Sequence, residues 1–75
     1  GTRIPSLNPG EQLTAQVYDI QGNRAASYKT TADNKGKFSE WNGIPSSGKK
    51  RARGVYVIQY VNRQGKTFNL KQYFN

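Results

Sequence analysis

The 75-residue chain has no cysteine and no histidine, and only four acidic residues, Glu11, Asp19, Asp33 and Glu40. Without cysteine there is no disulfide, and without cysteine and histidine there is no zinc cage, so a small domain here lacks its usual staples. The same absence removes the commonest general base, the thiol nucleophile and the best transition-metal ligands. The acids fall singly on separate elements. Glycoside hydrolysis needs two carboxylates about 5–10 Å apart across a sugar-sized cleft, and a β domain this short has little room for one. A non-enzyme is therefore expected, with no catalytic residue, no cofactor and no metal site; Asp33-Asn34 is only a faint hint of oxygen ligands for calcium. No stretch approaches the roughly 18 apolar residues of a membrane-spanning helix. The lack of cysteine does not fix a compartment, since secreted bacterial domains often dispense with it.

What the chain does have is positive charge: twelve Lys and Arg, for a net +8. That balance favours an anionic neighbour, whether nucleic acid, an acidic polysaccharide or a lipid headgroup surface, and it also serves solubility alone. The charge is densest at Lys49, Lys50, Arg51 and Arg53. These residues are the candidate anion-binding patch, and a solvated loop is the competing reading.

The best-patterned stretch is the last third. Residues 53–62 are dense in β-branched and aromatic side chains, and residues 66–74 form a second, more polar run. Asn62-Arg63-Gln64-Gly65 between them reads as the turn of a β-hairpin. An intact hairpin there implies a docked segment, not a frayed one. Upstream, residues 12–20 alternate, with Leu13, Ala15 and Val17 on one face and Thr14, Gln16, Tyr18 and Ile20 on the other. Gln21-Gly22-Asn23 turns the chain into a weaker strand at Arg24–Thr31, where Ala26 and Tyr28 share a side. Residues 37–41 read as a short strand with Ser39 and Trp41 on one face and Phe38 and Glu40 on the other. Residues 42–53 read as a loop. No helical periodicity and no internal repeat is evident. Five short strands with closely spaced turn signals indicate an all-β fold, a small sandwich or barrel.

Planar side chains suggest two uses. Trp41, Tyr56 and Tyr60 are candidates for stacking on carbohydrate, and a core role competes for each, most of all for the single tryptophan. Interleaved aromatic and basic residues on a sheet face also suit single-stranded nucleic acid. Tyr56, Ile58 and Tyr60 share one face, however, which favours core.

Three signatures then line up in order. Asn8-Pro9 leads into a strand ending Val17-Tyr18-Asp19-Ile20-Gln21-Gly22-Asn23. Trp41-Asn42-Gly43 is followed by Gly48. Gly54-Val55-Tyr56 opens the long strand, and Gly65-Lys66-Thr67 and Lys71 follow it. In this order and spacing the chain resembles the C-terminal sorting domains of proteins exported by the bacterial type IX secretion system, and the related Ig-like domain of flagellar hook-capping proteins. The basic segment before Gly54 resembles the basic C-terminal domains on secreted enzymes that degrade plant polysaccharides. The resemblance covers about residue 8 to the end. It implies a seven-strand-like Ig or Greek-key β-sandwich with a C-terminal β-hairpin, secreted or held at the cell surface. The implied sorting residues are Gly54, Val55, Tyr56, Gly65, Lys66 and Lys71.

Expected from this are a lead-in linker over residues 1–10 and a single β-sandwich domain over residues 11–75. A start at Gly1-Thr2 without methionine or a signal-peptide pattern is expected of a domain cut from a larger parent. The expected function is that of a non-catalytic export and surface-attachment module, monomeric, whose partners are secretion machinery or outer-membrane surface components. The alternative is an accessory carbohydrate-binding module, and nonspecific nucleic-acid binding is a third reading.

Overall fold

The computed structural model describes Thr2–Arg3, residues 7–48 and residues 50–75. The described chain is all-β, with six strands: β1 (Thr2–Arg3), β2 (Gln12–Asp19), β3 (Arg24–Thr31), β4 (Lys37–Phe38), β5 (Gly54–Asn62) and β6 (Thr67–Phe74). Four of them form an antiparallel sheet in the order β3-β2-β5-β6, and β1 pairs with β4 as a separate two-stranded sheet. The two hairpins expected from alternation, β2–β3 and β5–β6, both form. The β3-to-β5 connection passes over β2, which places β5 beside the first hairpin.

One face of the sheet makes the core. Leu13, Ala15 and Val17 of β2, Ala26 of β3 and Ile58 and Tyr60 of β5 are buried together with Leu7, Ala32, Phe38, Trp41 and Ala52. The last five come from β4 or from segments without strand geometry. The second layer is thus largely irregular chain, and among the described residues it holds fewer strands than a seven-strand sandwich implies. Irregular chain can cover a sheet here because each segment is pinned by a backbone bond. Ala52 N–H donates to the Gly43 carbonyl at 2.7 Å, Ser46 N–H to the Ala25 carbonyl at 3.0 Å, and Gly10 N–H to the Ala32 carbonyl at 2.9 Å.

Three expectations are corrected by this layer. Leu7 belongs to the core, so the lead-in expected over residues 1–10 is part of the domain by residue 7. Ile4, Pro5 and Ser6 of that lead-in lie outside the described residues. The strand expected over residues 37–41 ends at Phe38, and past it Trp41 turns inward, so Phe38 and Trp41 are buried together. Ile20 leaves β2 for the turn and is 78% exposed.

The core rings pack edge to face, the arrangement their quadrupoles favour. Trp41 lies 5.1 Å from Tyr56 and 5.3 Å from Phe74, and Tyr56 lies 6.0 Å from Phe74, centroid to centroid. Phe38 meets Tyr60 at 4.6 Å. The Trp41 backbone is clamped at both its polar groups: its N–H donates to Gln72 Oε1 at 3.3 Å and its carbonyl accepts from Gln72 Nε2 at 3.1 Å. Gly43 lets the chain leave this cluster. Its φ is +83°, and a Cβ there would stand 2.8 Å from the Phe74 ring, so both backbone and space demand glycine.

A repeat absent from the linear reading appears in the turns. Asp19, Asp33 and Asn62 each begin a five-residue turn with glycine fourth, at Gly22, Gly36 and Gly65. In every case the side-chain Oδ1 accepts from the N–H groups two and four residues on. The distances are 2.9 and 2.9 Å at Asp19, 2.8 and 2.9 Å at Asp33, and 3.0 and 2.8 Å at Asn62. The glycines have φ of +87°, +76° and +84° and donate to the carbonyl of the Asx residue. The Asx side chain thus satisfies two N–H groups that a tight hairpin turn leaves without strand partners.

The Asp33 carboxyl is held below its usual value, first by the Lys37 N–H and then by that of Lys35. A carboxyl so depressed adds stability that is complete above its unfolded value near 3.9 and is lost as pH falls through the lower folded value. Asp33→Asn is expected to keep the turn, because Asn62 does the same work with an amide. The variant should lose this part of the acid dependence, read as a shallower decline of urea-unfolding stability between pH 4 and the acid limit. An unchanged decline would remove Asp33 as its source.

Candidate functional site

The structure distributes the expected sorting residues over four places. Val55 and Lys71 point to the uncovered face of the sheet, where Val55 is 40% exposed and Lys71 is exposed. Tyr56 is half-buried in the Trp41–Phe74 cluster. Gly65 and Lys66 sit in the β5–β6 turn at the opposite end of the hairpin, where the Lys66 ammonium lies 5.6 Å from the Phe68 ring centroid. Gly54 opens β5. All six belong to one hairpin without converging on one spot.

That hairpin supplies an edge. β6 is the outermost strand, and among the described residues no backbone hydrogen bond reaches it from any element except β5. The other outer strand, β3, is partly closed. Ser46 N–H bonds its Ala25 carbonyl, Ser39 N–H donates to Thr30 Oγ1 at 3.3 Å, and Tyr28 Oη donates to the Ser39 carbonyl at 3.3 Å.

Of the anion-binding candidates, Lys50, Arg51 and Arg53 are exposed around the buried Ala52, and Lys49 lies outside the described residues. The carbohydrate-stacking candidates are corrected. Trp41 is 5% exposed and Tyr60 fully buried, so neither can offer a ring face to a sugar, and Tyr56 packs against Trp41. They turn inward because alternation places Tyr56 and Tyr60 on the same side of β5 as Ile58. The Tyr60 hydroxyl is satisfied there by the Tyr28 hydroxyl at 3.0 Å.

Two other aromatics lie on the opposite face, Tyr73, which is exposed, and Tyr18, which is half-buried. The uncovered face is built in cross-strand rows. One row runs Arg24, Tyr18, Val57, Lys71. The next is Ser27, Gln16, Gln59, Asn69, and the third is Lys29, Thr14, Val61, Thr67. Beyond the first row Val55 faces Tyr73, which is 70% exposed. Arg24 comes beside Tyr18 because a bulge at Val17/Tyr18 shifts the β2–β3 register. Gln16 is oriented by its neighbours, its Nε2 donating to Ser27 Oγ and its Oε1 accepting from Arg24, both at 3.4 Å. Three cations, two tyrosines and a row of amides share this face, and none of its residues carries a carboxylate. Period-two alternation already put Thr14, Gln16 and Tyr18 opposite Leu13, Ala15 and Val17; the same count on β6 was the signal for Tyr73.

The acids are occupied elsewhere. Asp19 and Asp33 hold turns. Glu11 accepts from Asn8 N–H at 3.1 Å and from Asn62 Nδ2 at 2.9 Å, tying two loops together. Glu40 is the only carboxylate lining a groove of about 530 Å³ between β3 and residues 39–46, and its charge is felt by Tyr28 and Tyr60. Among the described residues there is no group of three or more His, Cys, Asp or Glu placed to hold a metal ion. Among the described residues there is no helix long and apolar enough to cross a membrane. Comparison with family models, with curated proteins and with solved structures returns no match to this chain.

Proposed function

We propose that this chain is a non-catalytic module that directs a larger secreted bacterial protein through type IX export and attaches it at the cell surface. The observation that carries the reading is the β5–β6 hairpin. It is docked through Tyr56 and Phe74, and among the described residues no backbone bond covers the outer edge of its last strand, which Lys66 precedes and which carries Lys71. A receptor can read such an edge by adding a strand to it, with main-chain hydrogen bonds giving affinity and alternate side chains giving selectivity. The order of the Asn-Pro, Trp-Asn-Gly and Gly-Val-Tyr signatures supports the same assignment, with secretion machinery or an outer-membrane component as the partner.

The test fuses the chain behind a signal peptide and a reporter enzyme in a bacterium that has type IX machinery. The complete chain should carry the reporter to the medium or the cell surface. Removal of residues 66–75 should leave it in the periplasm, and Lys66→Glu with Lys71→Glu, both at exposed positions, should lower export with an unchanged circular dichroism spectrum. Full export of the truncated fusion would end this reading.

A further inference from the structure

We propose that the uncovered sheet face is a binding site for an acidic polysaccharide, a chain of hydroxyl-rich rings bearing carboxylates. The proposal does not depend on the export reading, since it rests on the sheet face opposite the core and not on the backbone edge of β6, although Val55 and Lys71 figure in both. Tyr18, Tyr73, Val57 and Val55 take no part in the hydrophobic core. An exposed tyrosine beside valines on a sheet face, with no core role, is a surface suited to the apolar face of a sugar ring.

The polar groups match the remaining chemistry. Arg24 and Lys71 bracket Tyr18 and Val57 in one row, with Lys29 two rows along, and the face has no acid to repel a carboxylate. The arginine offers a fork of donors suited to a carboxylate, and the lysines act as point charges. Between the charged rows lie Gln16, Gln59 and Asn69. Each amide both donates and accepts, as neighbouring sugar hydroxyls require. Tyr18 and Tyr73 stand two strands apart, at least about 10 Å, too far for one ring. They mark two positions along an extended chain.

Single-stranded nucleic acid is the nearest competitor, and the face fits it less well. Such sites combine stacking rings with a continuous run of cations that tracks the backbone. Here the cations are three, and the central row is uncharged.

The experiment titrates the 75-residue chain with polygalacturonate, with neutral xylan and with oligothymidylate by calorimetry at low salt. Polygalacturonate should bind best, and its affinity should fall with added salt as the charges are screened. Tyr73→Ala and Lys71→Glu, both exposed and outside the core, should each weaken it about tenfold, in the range of a lost stacking or charged contact. Arg51→Glu with Arg53→Glu, in the basic loop, should leave it within about twofold, a change smaller than one such contact. The proposal is overturned by any of three results: no polygalacturonate binding, tighter binding of the oligonucleotide, or loss of binding in the loop variant with none in Tyr73→Ala and Lys71→Glu.

Discussion

Trp41→Ala is expected to cost roughly 3–5 kcal/mol, the range for removing a buried large aromatic. A chain of this length carries only about 4–11 kcal/mol in total at ordinary stability per residue, so the variant should be marginally folded or unfolded at room temperature. The reason is the position of the ring. It is 5% exposed and touches Tyr56 and Phe74, and so joins the irregular cover layer to both strands of the last hairpin. Without it, the Gln72 clamp on the Trp41 backbone holds a segment with nothing packed beneath it. Urea unfolding followed by circular dichroism measures the effect, and an unchanged midpoint would show that the cover layer is held by its backbone bonds alone. Loss of any ligand in this variant would report loss of fold, not of a contact.

The second large effect lies in alkali. Burial raises Tyr60 above the ordinary tyrosine value, and the adjoining Tyr28 hydroxyl adds to it. Burial also raises Tyr28, against the bond from Tyr60, which lowers it, and with a contribution from Glu40. The folded chain therefore keeps these protons at a pH where the unfolded chain, whose tyrosines ionise near 10, has released them. Their contribution to stability is complete below about pH 10 and declines as pH rises through the folded values, by up to about 1.4 kcal/mol per pH unit for each such group. The expected result is cooperative unfolding above pH 10, with phenolate absorbance from Tyr28 and Tyr60 appearing together with loss of the sheet signal. Tyr60→Phe should give up about 1 kcal/mol at neutral pH for the lost hydroxyl pair and show a shallower alkaline decline. Ionisation of both phenols near pH 10 in a chain that stays folded would contradict the burial argument.

The two hairpins were legible because a strand repeats every two residues and their turns carry glycine at a fixed place. Leu13, Ala15 and Val17 could be assigned to the core from that alone. The cover layer was not legible, for a physical reason. Leu7, Ala32 and Ala52 are single apolar residues in polar segments, and with no periodicity to mark them their burial depends on contacts distant in sequence. Trp41 was placed on a strand face because the run from Lys37 alternates, and the strand stops early. The candidate site was half legible. On β5 both alternating sets are largely apolar, Val55, Val57 and Val61 against Tyr56, Ile58 and Tyr60, and the reading that the second row favours core agrees with the buried Ile58 and Tyr60. The rings of Trp41 and Tyr60 belong to the core, whereas the more accessible tyrosines, Tyr18 and Tyr73, lie on β2 and β6. The turn repeat was hidden because Asp and Asn are different letters with the same acceptor oxygen.

The edge of β6, which no backbone bond covers among the described residues, carries a liability as well as an opportunity. An unpaired strand edge is a template for any other strand, including the β6 of a second copy, and that route leads to aggregation. Three of the four outward-facing residues of β6 are polar, Thr67, Asn69 and Lys71, and the chain as a whole bears +8, so two copies approaching edge to edge meet strong mutual repulsion. The excess of lysine and arginine thus also acts as a colloidal safeguard, one that weakens as added salt shortens the reach of the charges.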